Sequence, residues 1–130
     1  MAKKQTKQNK QNQTERVTVP GEWLYVAPEG MNVRRITEAL PTQEIEVWED
    51  AGVLEITLSE KQSVDIEHVR IHPKDEITRA FVEEHGCKEV FLVTFSSEIY
   101  EQAAVIMREI LEKCGGLFCG DTEDFTPVIS

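Results

Sequence analysis

The sequence predicts an α+β domain, a two-layer mixed β-sheet with helices mainly on one face. Residues 89–95 form a nearly unbroken apolar run that leads into 97–113, where apolar residues recur at helical spacing, so a buried strand precedes a helix. Residues 44–58 instead alternate polar and apolar side chains, which is typical of paired strands with one solvated face. The predicted order is β-α-β-β-β-α-β-α-β. A three-layer α/β sheet is the alternative.

Length and composition fit one soluble globular domain. The chain has 130 residues, of which 40% are hydrophobic and 29% charged, an ordinary balance for a protein with a buried core. Residues 1–16 differ because they are basic, rich in Gln and Asn, and contain almost no side chain that a core can use. We therefore predict a disordered tail over 1–16 and a single α+β domain over 17–130.

The charge distribution restricts the partners that the protein is expected to bind. Five cationic side chains and one carboxylate give residues 1–16 a net charge of +4, so with an overall charge of −10 the other 114 residues carry −14. A body this acidic repels phosphate groups. Nucleic acid is therefore an unexpected partner, and a basic protein is the expected one.

The cysteines and the distribution of apolar residues predict the compartment. Cys87, Cys114 and Cys119 fit neither a disulfide framework nor a CxxC metal site, so free thiols in a reducing environment are expected. The lysines near the start precede no apolar segment, and no stretch approaches the roughly 18 apolar residues that a membrane-spanning helix needs. These observations predict a cytoplasmic protein without a membrane segment.

The first half of the domain contains a strand, a helix and a hairpin. Residues 23–27 are the first predicted strand, and a helix over 33–40 follows, with Asn32 as its cap. Residues 44–48 and 53–58 then alternate around a Gly-containing loop, the clearest hairpin in the chain. One face of this hairpin is expected to be solvated.

The second half continues with strand and helix in turn. Residues 64–71 are apolar enough for another strand, in which a break in alternation predicts a bulge or bend at Glu67-His68. A helix is predicted to begin at Pro73 and to end before Gly86. After the buried strand and the long helix, a short strand over 117–120 returns to the sheet.

An acidic turn after the last predicted strand is a candidate metal site. If strands 89–95 and 117–120 are parallel neighbours, Asp121, Glu123 and Asp124 lie at their carboxyl ends, where open α/β sheets place ligands. Carboxylates bind Mg²⁺ or Ca²⁺, although a solvated loop explains the same residues. No catalytic residue or cofactor is predicted, because the sequence contains no P-loop, GxGxxG, HExxH or GxSxG motif.

The histidines do not predict a zinc site. His68 and His72 are four residues apart, which brings metal ligands together on a helix. On the strand predicted here, residues four apart lie about 13 Å from each other. Surface or capping histidines are the simpler interpretation.

The solvated face of the hairpin is the candidate partner-binding surface. Trp48 shares this face with Glu44 and Glu46 on one strand and with Glu55 on the other. A tryptophan among carboxylates is suited to anchor a basic partner. The alternative is that the N-terminal segment covers Trp48.

In its size, acidity, mixed α/β order and strand-helix-Gly115-Gly116-strand ending, the chain resembles the small cytoplasmic immunity proteins that neutralise bacterial toxins. The resemblance covers residues 20–129 and is one of general character, so it assigns no functional residue. It implies a small bacterial protein that acts by binding another protein.

Three functions therefore compete. The first is a small acidic, non-enzymatic interaction module, an inhibitor or immunity-type binder of a basic protein. The second is a divalent-cation-binding domain or enzyme that uses the 121–124 turn. The third is a structural homodimer that pairs through an exposed strand edge or through the wide apolar face of the 97–113 helix.

Overall fold

The computed structural model describes residues 20–130, and over this range it confirms the predicted α+β fold. The predicted tail over 1–16 lies outside the described residues. The strands are β1 (Glu22–Ala27), β2 (Glu44–Trp48), β3 (Val53–Ser59), β4 (Gln62–Val69), β5 (Glu89–Thr94), β6 (Leu117–Gly120) and β7 (Val128–Ile129). The α-helices are α1 (Val33–Glu38), α2 (Glu76–Glu84) and α3 (Tyr100–Cys114). Across this part of the chain, no helix has both the length and the apolar character needed to cross a membrane.

The seven strands form one sheet in the order β2-β3-β4-β5-β1-β6-β7, and every neighbouring pair is antiparallel. The predicted mixed sheet is therefore wrong. β5 and β6 do run in the same direction, but β1 lies between them and pairs with both. Residues 23–27 of β1 are buried whichever face they point to, and only a central strand with both faces covered can bury them all.

Helices α1 and α3 pack on one face of the sheet, and α2 packs on the other, so the prediction of helices mainly on one face is confirmed. The larger core includes Val33, Ile36, Ile106, Met107 and Ile110 from the helices and Trp23, Tyr25, Leu54, Ile56, Ile66, Phe91 and Val93 from the strands. In the smaller core, Val82 of α2 meets side chains of β1, β5 and β6. Within residues 20–130, the outer face of β2 and β3 carries no helix.

Helices α1 and α2 begin where a side chain caps their first backbone N–H groups, whereas within the described residues α3 has no side-chain cap. Asn32 Oδ1 accepts a hydrogen bond from an N–H of α1 at 3.0 Å, as predicted. α2 begins at Glu76 rather than at Pro73, because Asp75 caps it by accepting from the Thr78 N–H at 3.0 Å. The hydrogen bonds from Thr78 hold the pKa of Asp75 below its usual value.

β4 has no bend at Glu67-His68, so the predicted bulge at that position is wrong. Its pairing with β5 is regular from Asp65 to Val69, and the irregular register lies at the other end of β4, opposite Thr57–Ser59. The alternation breaks because the two ends of the segment face different cores. Ile66 belongs to the larger core, whereas Val69 and Ile71 pack against the smaller one beside α2.

Tyr25 links the centre of the sheet to the turn after α3. Its ring stacks on Phe118 at a centroid distance of 4.5 Å, and its hydroxyl donates a hydrogen bond to Gly115 O at 2.7 Å. Burial raises the pKa of Tyr25 well above its ordinary value of 10.0, so the hydroxyl is a neutral donor at physiological pH. Gly116, the residue after Gly115, has a φ of +89°, and a Cβ there would collide with Val26 O.

Candidate functional site

The candidate site is the outer face of β2, β3 and β4, which we call the acidic face. Alternate residues of these strands pack inward against the α1–α3 core, so their neighbours point away from it. The outward residues are Glu44, Glu46, Trp48, Val53, Glu55, Thr57, Ser63, Asp65 and Glu67. Five of these nine side chains are carboxylates and none is a cation. The structure thus places all four predicted contact residues, Trp48, Glu44, Glu46 and Glu55, on one surface.

The register of the strands aligns carboxylates in a row across the sheet. Glu46 is opposite Glu55, and Glu55 is opposite Asp65. Asp65 is opposite Thr94 on β5, which is in turn opposite Glu22 on β1. We call Glu46, Glu55, Asp65 and Glu22 the carboxylate row. Because adjacent strands lie about 4.8 Å apart, the row extends about 19 Å from β2 to β1.

The described part of the chain does not neutralise this row. The ion pairs between residues 20 and 130 are Arg34–Glu38, Arg34–Glu49, His68–Glu89 and Lys113–Glu109. None of these pairs includes a residue of the carboxylate row. Like charges directly opposite each other on adjacent strands destabilise a sheet. The row therefore lowers the stability of the isolated fold, and a cationic group bound along it would relieve the repulsion.

Trp48 supplies an apolar group at the border of the acidic face. It is the last residue of β2, which is an edge strand, and it is 46% exposed. Along the strand it is two residues from Glu46, a distance of about 7 Å. Lysine and arginine side chains can contact such a site twice, with their charge on the carboxylates and their stem or guanidinium plane on the indole ring.

The acidic turn lies between β6 and β7, and it is not beside the end of β5, because β1 separates the two strands. The parallel pairing that motivated a metal site there does not occur. Asp124 accepts hydrogen bonds from the hydroxyls of Thr126 at 2.7 Å and Thr122 at 3.2 Å, which lower its pKa and hold the turn. Asp121 and Glu123 are exposed. Cation binding by Asp121, Glu123 and Asp124 stays a prediction, and between residues 20 and 130 no group of three or more His, Cys, Asp or Glu side chains is placed to hold a metal ion.

The acidic turn lies beside the β1 end of the carboxylate row, the opposite end from Glu46. The Asp121 N–H donates a hydrogen bond to Glu22 O at 3.0 Å, so the acidic turn starts beside the last carboxylate of the row. The sequence does not predict that the turn lies beside the row, because no local pattern shows that residues 22 and 121 are neighbours. The negative surface therefore continues from the edge strand β2 to the turn after β6.

His68 and Glu89 form a pair that sequence reasoning missed. His68 stacks on Phe91 with ring centroids 4.3 Å apart, and its Nε2 lies 2.9 Å from Glu89 Oε1. The other carboxylate oxygen of Glu89 accepts from the Gly30 N–H at 3.2 Å, so Glu89 ties the turn after β1 to the sheet. A groove of about 660 Å³ beside the pair is also lined by Asp50, Arg70 and Lys88. The only signal for this pair in the sequence is that His68, a polar residue, falls at an inward position of β4.

The other two histidines form local hydrogen bonds with the backbone, and α2 is capped by Asp75 rather than by His72. His72 Nδ1 accepts a hydrogen bond from the Lys74 N–H at 3.0 Å. His85 Nδ1 lies 2.8 Å from Phe81 O, one turn earlier in α2. The three histidines thus occupy three separate environments.

The three cysteines are wholly or partly buried. Cys87 and Cys119 are buried, Cys114 is half-buried, and all three are free. Burial raises the pKa of each thiol, and at Cys119, where Asp121 adds to the effect, the pKa is raised to about 12. Because the thiolate is the nucleophilic form, a raised pKa lowers the reactivity of these side chains at neutral pH.

Comparison of the chain with protein-family models, with curated proteins and with solved structures gave no match. Function is therefore inferred from the residues of the site themselves.

Proposed function

We propose that this protein is a non-enzymatic interaction module that binds a basic protein through the acidic face. The observation that carries the proposal is the carboxylate row, in which Glu46, Glu55 and Asp65 lie directly opposite one another with no ion pair inside residues 20–130. Lysine and arginine side chains of a partner replace this repulsion by attraction along the whole row. Association is then steered by charge and is fastest at low salt.

Trp48 is the expected anchor of the interface. Tryptophan is enriched among interface hot spots, because one large rigid side chain buries much area at a small entropy cost. The carboxylates around it set which partner binds, since a surface with cations in matching positions is selected and an acidic surface is repelled. Charge therefore provides specificity in this proposal, and the indole provides affinity.

The same chemistry suits an inhibitor or immunity-type protein, the class that the chain resembles in size and acidity. A basic partner is inhibited when the cations covered by the acidic face are those that it needs to hold an anionic substrate. A cytoplasmic location in a bacterium is part of this proposal, and the three free thiols fit a reducing environment.

A structural homodimer is less well supported. The wide apolar face of α3 is not available for pairing, because Ala103, Ile106, Met107 and Ile110 are buried against the sheet of the same chain. Within residues 20–130 no strand pairs with the outer edge of β2, but a twofold antiparallel pairing centred on Glu46 would place this carboxylate opposite its own copy.

The test is affinity capture from lysate of the native organism with three baits. The wild-type chain is compared with Trp48→Ala/Glu46→Lys, which changes the acidic face. The matched control is Val105→Ala/Glu101→Lys, which truncates an exposed apolar residue and reverses one carboxylate on the outer side of α3. Both variants change the net charge by the same amount.

We expect a basic protein that wild type and control retain at low salt and that the acidic-face variant loses. Purified and titrated against the three baits, this protein should bind the acidic-face variant at least about tenfold more weakly, the usual effect of losing a hot spot. Equal retention by all three baits, or retention that does not fall as salt increases, would overturn the proposal.

A further inference from the structure

The carboxylate row ends at the point where the N-terminal segment enters the sheet. Glu22, the last carboxylate of the row, is the first residue of β1, and both Glu22 and its neighbour Thr94 are exposed. Trp23, which faces the larger core, donates a hydrogen bond from Nε1 to Pro20 O at 2.9 Å, and this bond holds Pro20 close to the start of β1. Pro20, the first described residue, is therefore two residues along the chain from the carboxylate at the β1 end of the row.

The segment has the opposite charge to the row and sufficient length. Residues 1–16 contain Lys3, Lys4, Lys7, Lys10 and Arg16 against a single carboxylate. At about 3.3 Å per extended residue, sixteen residues reach roughly 50 Å, whereas the row is about 19 Å long. Arg16 is six residues from Glu22, and the lysines follow at intervals that can reach Asp65, Glu55 and Glu46.

We propose that residues 1–16 bind along the carboxylate row in the free protein and compete there with a basic partner. Each exposed ion pair contributes little by itself. Attachment to Glu22, however, gives the segment an effective concentration in the millimolar range at the row. The row is thereby partly neutralised within the chain, and salt releases the segment because the charges are exposed.

The competition with a partner rests on the proposed function, whereas binding of the segment to the row does not. The apparent affinity of such a partner equals its affinity for a free row multiplied by the fraction of chains in which the row is free. The N-terminal segment therefore favours partners that match the row better than residues 1–16 do. It also limits weak binding of other polycations.

The test compares full-length chains that differ only in charge. In the first variant, Lys3, Lys4, Lys7 and Lys10 are replaced by Gln. In the control, four exposed cations outside the acidic face that form no ion pair within residues 20–130 are replaced by Gln: Arg70, Lys74, Lys88 and Arg108. Amide and indole NMR shifts are recorded for each chain at about 20 mM and about 500 mM NaCl, below and above the range in which exposed charges are screened.

At low salt we expect the tail variant to differ from wild type at the amides of Glu46, Glu55, Asp65 and Glu22, and at the Trp48 indole. These differences should vanish at high salt, and the control should match wild type along the row. A synthetic peptide of residues 1–16 should bind the tail variant about threefold more tightly than wild type, which corresponds to a row occupied in about two-thirds of wild-type chains.

Two results would overturn the inference. The first is that wild type and tail variant share the same shifts along the row at low salt and bind the peptide equally. The second is that the differences grow with protein concentration, which would assign the bound segment to a second copy. Both are independent of the lysate experiment, because a partner that depends on Trp48 and Glu46 can be found whether or not the segment occupies the row.

Discussion

The centre of the sheet and its β2–β4 side differ in how many faces are covered. β1 has five consecutive buried residues, whereas β2 alternates exposed and half-buried ones. At the centre, helices on both sides exclude water, and the strands tolerate little polarity. On the β2–β4 side, one face packs against the core, whereas the acidic face carries charged side chains. Stability therefore depends mainly on the centre of the sheet, and the β2–β4 side supplies the surface that is proposed to bind a partner.

The largest expected difference in the free energy of unfolding is between Phe91→Ala and Trp48→Ala. Phe91 is fully buried between Tyr25 and His68, so its loss leaves a cavity and should lower the free energy of unfolding by about 3–5 kcal/mol. Trp48 is exposed on the acidic face, and its removal should change stability by no more than about 0.5 kcal/mol. Urea unfolding measures both. If the two variants lost similar stability, Trp48 would have to be part of a core.

Gly116→Ala tests how closely the backbone is packed at the centre of the sheet. An alanine there must hold φ at +89° and meets Val26 O, so we expect a loss of about 2–3 kcal/mol. Gly86→Ala is the matched control, because Gly86 also has a positive φ, +70°, but no atom within 4 Å of the added Cβ. The control should lose only about 1 kcal/mol, the cost of the conformation itself. Equal losses in urea unfolding would show that the space beside Val26 is not restrictive.

Tyr25→Phe removes one buried hydrogen bond. At pH 7 the variant should be about 1 kcal/mol less stable than wild type, because Gly115 O loses its donor. The pKa of Tyr25 is raised in the folded state, so above pH 10 the unfolded chain releases this proton first and wild type loses stability with increasing pH. The difference between wild type and variant should therefore narrow above about pH 10. Urea unfolding at pH 7 and pH 11 measures it, and a constant difference would contradict the assigned burial.

In the chain whose Lys3, Lys4, Lys7 and Lys10 are replaced by Gln, so that residues 1–16 do not compensate the row, Glu55→Gln should stabilise the protein, the smallest effect and the only gain. Glu55 lies between Glu46 and Asp65, so neutralising it removes two repulsive pairs and should add about 0.2–1 kcal/mol at low salt. The control is Glu29→Gln, in the exposed turn after β1, which should change stability little. Thermal unfolding at low and high salt measures both. A gain that persisted at high salt would not come from charge repulsion.

Local patterns in the sequence were sufficient to predict the hairpin and its outward residues. Period-two alternation places Trp48, Glu46 and Glu55 on one face, and the strands confirm this placement. Asp65 and Glu22 were missed because their place in the row depends on the register of β4 against β3 and of β1 against β5. Such registers join distant segments and leave no local pattern. The same limit explains why the parallel pairing of β5 with β6 was predicted, although β1 lies between them.

The central position of β1 has a consequence for synthesis of the chain. β1 precedes both of its partners, and its pairs range from Ala27–Glu89, 62 residues apart, to Trp23–Gly120, 97 residues apart. At about 5–20 residues per second, a ribosome needs roughly 5–20 s to make the segment that completes these pairs. During this time an apolar strand has two open edges, a state that favours aggregation. We expect slow folding with a high contact order, and we expect chaperones that act during translation to bind residues 22–27.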